Sequence, residues 1–388
     1  LQNNNFKSSL RKKLKYYVLD IFQGGSMKLS RRNFLKLVGA MGASAFLTTY
    51  KADLVKALEE VKDYYHLCWI NGASCTGCTI SFAQLGDPDL VSILTDILVG
   101  SSGLPIALPD YMETIHPAAG TVAEEGIERW KKAKTKKILV VEGAVQDPGF
   151  CTVHRGYENG KLVEVDFRDR LLECARFADV IIAVGQCATF GGIPAAKPWN
   201  GEPNPTNAKG VQEFLYENGI NKTVINIPCC PVNPDHLIIV LSAVLLGVDI
   251  DLDEHNRPKV LFGRNMHKEL CPYRPYYDRG IFITKPGEEG CRFKMGCKGP
   301  ICNTDCALRK WNSGTSYCVE TNICIGCAEP GWPDKFSPFY AEVPELPKVL
   351  GIGAETIGAG LLGATLLGIG IHAVRHLGAK KHKKEEEE

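Results

Sequence analysis

The sequence predicts an open, mostly parallel α/β sheet domain over residues 60–250 and a smaller, irregular domain over 255–345. One apolar C-terminal helix over 352–377 follows, then a charged tail at 378–388. Three observations carry this reading. Between residues 64 and 246, short β-branched runs alternate with helix-like segments, the rhythm of a parallel sheet. After Arg257 the apolar periodicity fades while Gly, Pro and Cys rise, so the second domain needs a staple other than a large core. Residues 356–374 carry no formal charge. The whole chain of 388 residues is long enough for two cores, and 45 basic against 44 acidic side chains give no reason to expect nucleic-acid binding. A mean hydropathy of −0.08 excludes a polytopic membrane protein. Sixteen cysteines are too sparse for a small disulfide scaffold and too many for packing alone.

At the N-terminal end, residues 27–50 begin Met27-Lys-Leu-Ser30-Arg31-Arg32-Asn-Phe34-Leu35-Lys36. A mildly apolar run follows, containing Ala43-Ser-Ala45. This resembles a twin-arginine export signal with a small-x-small cleavage position, and Met27 is well placed as the initiator. The segment stands outside the fold prediction.

The clearest strands are His66-Leu-Cys-Trp-Ile70, Lys137-Ile-Leu-Val-Val141, Val180-Ile-Ile-Ala-Val184 and Thr223-Val-Ile-Asn-Ile227. Each runs at once into Gly, Cys or Pro: Asn71-Gly72, Glu142-Gly143, Gly185-Gln-Cys187 and Pro228-Cys-Cys-Pro231. Ligands of such sheets collect at the carboxyl ends of the strands, so these loops are expected to converge on one site. No Gly-x-Gly-x-x-Gly and no P-loop follows any strand, which argues against a nucleotide. The loops instead deliver Cys75 and Cys78, Cys187 and Cys230. Four thiolates from three neighbouring loops meet the requirement of a cubane [4Fe–4S] cluster. Cys75-Thr-Gly-Cys78 alone would be weak, because redox pairs and zinc sites share that spacing.

The second domain holds Cys291, Cys297, Cys306, Cys318, Cys324 and Cys327, with His267 and Cys271 upstream. These seven cysteines and one histidine divide into two four-ligand sites. Zinc ribbons would need two close Cys-x-x-Cys pairs per site, and only Cys324-Ile-Gly-Cys327 qualifies, so iron–sulfur is favoured. Disulfides are the rival for an exported chain, and twin-arginine export answers it by carrying proteins already folded around their cofactors. Cys68 and Cys174 fit packing positions and Cys151 has no assignment. Cys229 adjoins a ligand and Cys302 lies between two ligand sets, so either could compete for iron.

The C-terminal apolar stretch is nearly long enough, at about 1.5 Å per residue, to cross the hydrocarbon core as a helix. Arg375, Lys380, Lys381, Lys383 and Lys384 follow it, so the positive-inside rule puts the tail in the cytoplasm and the globular part outside. Gly360, Ala364, Gly368 and His372 share one helical stripe, a docking face for another membrane protein.

Taken together, Cys75-Thr-Gly-Cys78, Val141-Glu-Gly143, Gly185-Gln-Cys187-Ala188, Pro228-Cys-Cys-Pro231, Met295-Gly-Cys-Lys-Gly-Pro300, and Cys324-Ile-Gly-Cys-Ala-Glu329 leading to Ser337-Pro-Phe-Tyr340 form a specific set. On these stretches the chain resembles the small, electron-transferring subunit of membrane-bound group 1 [NiFe] hydrogenases. The resemblance implies a flavodoxin-like sheet domain followed by an iron–sulfur domain. Hydrogen would be oxidised at a nickel–iron centre in a partner large subunit. Electrons would leave through three clusters to a cytochrome b-like or quinone-linked membrane acceptor, docked near His372.

By the same resemblance Cys75, Cys78, Cys187 and Cys230 hold the proximal cluster, and His267, Cys271, Cys291 and Cys297 the distal one. Cys306, Cys324 and Cys327 hold the medial cluster. Many relatives carry Pro at the fourth medial position and bind [3Fe–4S]; Cys318 in that position implies [4Fe–4S] at a lower potential. Two spacings depart from the family pattern. His267 and Cys271 have three intervening residues where two are usual, and the 318–324 interval is one residue short. Oxygen-tolerant relatives add two cysteines at positions matching Gly77 and Gly192, so an ordinary, oxygen-sensitive proximal cubane is expected. Glu142 would stand beside it without ligating. No acid–base dyad or triad stands out. The rival readings are an iron–sulfur subunit of a quinone oxidoreductase and an exported zinc- or disulfide-stabilised surface protein.

Overall fold

The computed structural model of the chain describes residues 65–85 and 107–341, apart from 159, 199, 312 and 313, together with Thr365. The export signal expected over 27–50 and, apart from Thr365, the anchor expected over 352–377 lie outside these residues. Among the described residues no helix is long and apolar enough to cross a membrane. The chain divides into a unit ending at Tyr340 and a second at 341–388.

In chain order the strands are β1 (Tyr65–Asn71), β2 (Ala107–Met112), β3 (Lys136–Glu142), β4 (Thr152–Glu158), β5 (Lys161–Asp166), β6 (Val180–Val184) and β7 (Val224–Ile227). The helices that matter here are α1 (Gly77–Ala83), α2 (Thr121–Lys132), α3 (Phe167–Phe177), α4 (Gly185–Phe190), α5 (Val211–Glu217) and α6 (Pro234–Leu245). β1, β2, β3, β6 and β7 form one sheet in the order β2-β1-β3-β6-β7, with every pair parallel. With the antiparallel β4–β5 hairpin set aside, this is the flavodoxin-like order, whose switch point lies between β1 and β3. The four strands expected from the sequence are present to within a residue or two at each end. The edge strand β2 and the hairpin are additions to that expectation.

Alternation along the strands separates two cores. Leu67, Trp69, Ile138, Val140, Ile182, Val184 and Ile227 face one side with α6, while Cys68, Ile70, Leu139, Val141, Ile181 and Ala183 face the other with α2, α3 and α5. Every residue of α6 is buried, in keeping with a sequence that is apolar around most of its circumference. The first of these cores runs on through Leu261, Phe262, Met266, Ile283, Met295, Val319 and Ile323. The segment after Arg257 therefore packs directly against the sheet layer. Its own helices are only three to five residues long.

Register fixes where the functional loops start. Asn71 pairs with Glu142, Glu142 with Val184 and Val184 with Ile227. The last residues of four parallel strands thus form one row, and the loops bearing Cys75, Gly143, Cys187 and Cys230 leave the sheet at one level.

Candidate metal centres

Glu142, buried at the end of β3, organises the loop after β1. Its Oε1 accepts from Cys78 N–H at 3.0 Å and Ser74 Oγ at 3.1 Å, and its Oε2 from Thr79 N–H at 3.1 Å and Thr79 Oγ at 2.5 Å. Thr76, at the N-cap of α1, is left-handed and offers no side-chain cap. A carboxylate from the neighbouring strand therefore satisfies the free amides of the helix start. The Cys75–Cys78 loop is held from below, as a supporting role for Glu142 requires.

The four proximal candidates come together. Cys78 lies within electrostatic reach of Cys187 and Cys230, and Cys75 of the same two. Val232 N–H donates to Cys78 Sγ at 3.4 Å. Gly185 allows the close approach: its φ is +79°, and a Cβ there would collide with Cys78 Sγ. The glycines flagged in the sequence flank the set, because a Cβ on Gly77 would lie 3.0 Å from Cys75 Sγ and one on Gly192 3.1 Å from Cys187 Sγ.

Cys318 lies within reach of Cys306, Cys324 and Cys327, which brings the four medial candidates together in spite of the short 318–324 interval. An open cavity of about 540 Å³ beside them is lined by Cys230, Cys318 and Cys327 with Trp311 and residues of α1. The distal candidates His267, Cys271, Cys291 and Cys297 all line a second, small cavity. His267 Nε2 is buried with no hydrogen-bond partner, an unused donor atom among three thiols. The extra residue between His267 and Cys271 is absorbed locally. Residues Met266–Leu270 form a widened π turn closed by Cys271 N–H to Met266 C=O at 2.7 Å. The Tyr277 ring stands edge-on to the imidazole at 4.8 Å and fixes its plane.

The three sets are also joined to one another. Cys230 lines one cavity with Cys318 and Cys327, and Cys324 N–H donates to Cys297 Sγ at 3.4 Å. Burial, reinforced by neighbouring thiols, pushes Cys187 up to about 11 and Cys230 and Cys297 up to about 12. At neutral pH these donors are thiols before any metal binds, so iron must displace protons on loading. Cys327 is the exception. A hydrogen bond from Cys229, aided by the Cys230 amide, holds it below the usual range although burial opposes this.

A structural zinc ion would draw four donors to within about 2.3 Å of one point. Among the described residues no three His, Cys, Asp or Glu side chains converge on a single ion. The donor sets fit clusters, in which each thiolate binds a separate iron at a corner. Cys68 and Cys174 are fully buried in the core on the opposite face of the sheet from Cys229.

Sequence reasoning missed what surrounds the medial set. Asp305, one residue before Cys306, takes His236 Nε2 at 2.6 Å and Arg309 Nε at 3.0 Å, all three buried. Arg257, also buried, ties Asp253, the Ala328 carbonyl and Glu329 together beside Cys327. A charged residue next to a ligand cysteine was the available signal. Cys229 and Cys302 are buried in the same core cluster as Cys306 and Cys324.

Residues 262–340 match the family described as the C-terminal part of the NiFe/NiFeSe hydrogenase small subunit. Residues 75–244 match the NADH ubiquinone oxidoreductase 20 kDa subunit family. The chain is 36% identical over 379 residues to the F420 non-reducing hydrogenase I small subunit of Methanosarcina mazei, covering 91% of this chain and 94% of that one. It is 35% identical to the periplasmic [NiFeSe] hydrogenase small subunit of Desulfomicrobium baculatum, covering 81% and 99%. The quinone-reactive Ni/Fe-hydrogenase small chain of Wolinella succinogenes is 33% identical, covering 89% and 95%. Among solved structures, the H2-activated [NiFeSe]-hydrogenase of Dm. baculatum superposes with a TM-score of 0.64 at 34% identity, covering 73% of this chain and all of that one.

Proposed function

Because this chain belongs to the nickel–iron hydrogenase small-subunit family, we propose that it is the three-cluster electron relay of a membrane-bound uptake enzyme. Small subunits of this family carry electrons, while the bond-breaking centre sits in the large subunit they partner. The observation that supports the three-site reading is the order of three four-donor sets, with Cys230 lining one cavity with Cys318 and Cys327, and Cys324 N–H donating to Cys297 Sγ. When bound, the clusters supply one-electron centres between the large subunit and an external acceptor.

The chain's own residues do the positioning. Cys75, Cys78, Cys187 and Cys230 would hold the proximal cluster, with Glu142 fixing the first two. Cys306, Cys318, Cys324 and Cys327 would hold a medial [4Fe–4S] cluster, and His267, Cys271, Cys291 and Cys297 the distal one. Seven of the twelve donors are buried, Cys187, Cys230 and Cys327 are half-buried and Cys75 and Cys318 exposed, and hydrogen bonds onto the sulfurs tune the potentials. The acceptor is a cytochrome b-like or quinone-linked membrane component, a reading supported by the quinone-reactive relative. Export by the twin-arginine route and anchoring by 352–377 would leave the globular part outside and the tail in the cytoplasm.

The test is optical and EPR spectroscopy of the solubilised complex, kept anaerobic, before and after admitting hydrogen. Bleaching of the iron–sulfur absorbance with signals of reduced cubanes is expected. An oxidised three-iron signal would remove Cys318 from the ligand set. Centres reduced by dithionite but never by hydrogen would instead favour an iron–sulfur subunit of a quinone oxidoreductase, the reading that the 75–244 match would suggest alone. Zinc or no metal would end the relay.

A further inference from the structure

The imidazole of His267 stands in a shell of aromatic rings that carries cations. Tyr277 meets the imidazole edge-on, and Phe282 and Phe293 in turn meet Tyr277 edge-on at 5.7 and 5.3 Å. Tyr273 and Tyr276 continue the shell with centroids 6.4 Å apart. Arg274 lies over Tyr277 at 5.3 Å, Arg279 over Tyr276 at 4.9 Å and Lys294 over Phe282 at 5.2 Å, so three flexible cations are seated on rings. Charge in this segment is one-sided. Residues 264–294 hold seven Lys and Arg against four Asp and Glu, in a chain that is otherwise balanced. The four acids are already engaged: Glu269 by Arg264, Asp278 by Arg274, Glu288 by the Thr284 and Lys285 amides, and Glu289 by the Tyr276 hydroxyl. Lys268, Arg279, Lys285 and Lys294 are exposed and have no carboxylate within ion-pair distance among the described residues.

We propose that this cation-bearing aromatic shell is a docking face for an acidic protein surface, and that it selects electron acceptors by their negative charge. The proposal rests on the reading of His267, Cys271, Cys291 and Cys297 as the distal set, from which electrons leave. Each hydrogen molecule oxidised in the large subunit yields two protons and two electrons, so two one-electron acceptors are reduced at this face per hydrogen. Unpaired surface cations draw a carboxylate-rich partner in and orient it before contact. The rings hold Arg274, Arg279 and Lys294 in place beforehand, which lowers the entropy lost on docking. A protein partner fits better than a lipid surface. Anionic headgroups would cover the whole face and meet Glu269, Asp278, Glu288 and Glu289 as well as the cations, whereas a folded partner sets its carboxylates opposite the cations alone.

The experiment follows hydrogen-driven reduction of two one-electron probe proteins by the solubilised, anaerobic complex of small and large subunits. One probe is rubredoxin, which is acidic, and the other a basic cytochrome c; each changes colour on reduction. With wild type, rubredoxin reduction is expected to slow about tenfold between about 20 and 500 mM NaCl, while cytochrome c reduction holds or rises. Arg279→Glu combined with Lys294→Glu should slow rubredoxin about tenfold at low salt and speed cytochrome c. The conservative pair Arg279→Lys and Lys294→Arg should keep the wild-type order. Lys132→Glu on α2 combined with Lys161→Glu on β5 changes the net charge equally and should leave the rubredoxin rate within about twofold. Rubredoxin rates that ignore salt, or equal losses in the two charge-reversed pairs, overturn the proposal. Protection of Lys268 and Lys294 from amine acetylation in phosphatidylglycerol nanodiscs but not in phosphatidylcholine ones overturns it too, since the face would then lie on lipid headgroups. Clusters that bleach under hydrogen while rubredoxin ignores salt sink this proposal alone. Hydrogen that bleaches no cluster sinks the relay reading and this proposal with it.

Discussion

Glu142 is the residue on which the proximal loop depends most. Its buried carboxylate accepts from two backbone amides and two hydroxyls, and every one of these partners is a donor. Glu142→Gln turns one acceptor into a donor facing donors, at a cost of about 1–3 kcal/mol for the groups left unsatisfied. The expected outcome is a loosened Cys75–Cys78 loop, read as lower iron content and a weakened proximal EPR signal while the medial and distal signals persist. Asp305 carries a different load. Burial works against its ionisation, and the His236 and Arg309 charges more than offset that, holding it below the ordinary carboxylate value. A depressed acid contributes stability that is present above its unfolded value, about pH 4, and is lost as pH falls through its lower folded value. Asp305→Asn should cost about 3–5 kcal/mol in denaturant unfolding at neutral pH, because Arg309 stays buried without a counter-charge. The variant should also lose less on acidification than wild type. Glu142 was legible in the sequence as a neighbour of the proximal site; the Asp305 triad was not, since its members are 69 and 4 residues apart along the chain.

Elements were readable in proportion to how plainly they alternate or run apolar. β1, β3, β6 and β7 are β-branched and buried on both faces, so four short runs located them. β2 escaped because Pro109 and Asp110 interrupt its six residues, which an edge strand tolerates and a central one would not. The β4–β5 hairpin escaped because much of its surface is polar and solvated. The three candidate donor sets were drawn from cysteine spacing and the family resemblance, whereas the widened turn at Met266–Leu270 could be found only in three dimensions. α6 shows how an element joins two parts of the molecule. Asn233 caps it by accepting from Asp235 N–H at 3.0 Å, and its amide donates to the Lys310 carbonyl at 2.6 Å, between the sheet layer and the cysteine-rich segment. Asn233→Ala should cost about 1–2 kcal/mol in thermal or chemical unfolding, and should do so with the iron content unchanged.

At the scale of the whole molecule, the residues after Phe262 are short turns and loops gathered around thiols, with few regular hydrogen-bond ladders of their own. Their order comes from the apolar face they share with the sheet and, on the proposed reading, from iron. Anaerobic chelation should therefore open this segment first. Limited proteolysis of the stripped protein is expected to cut within 262–340 while 107–245 survives with its parallel sheet intact. Simultaneous loss of both parts would mean that the shared apolar face, and not metal, sets the stability of the segment.

On the proposed reading the turn at residues 228–231 serves two centres at once: Cys230 belongs to the proximal set, and Cys229, one bond away, is buried in the core cluster that holds Cys306 and Cys324 of the medial set. Neither side chain can be withdrawn without turning its neighbour. Maturation of the protein is therefore expected to be cooperative at this point, because filling one site freezes the short stretch of backbone that the other requires. Half-built molecules, with one of these two sites furnished and the other bare, should be scarce at every stage of assembly.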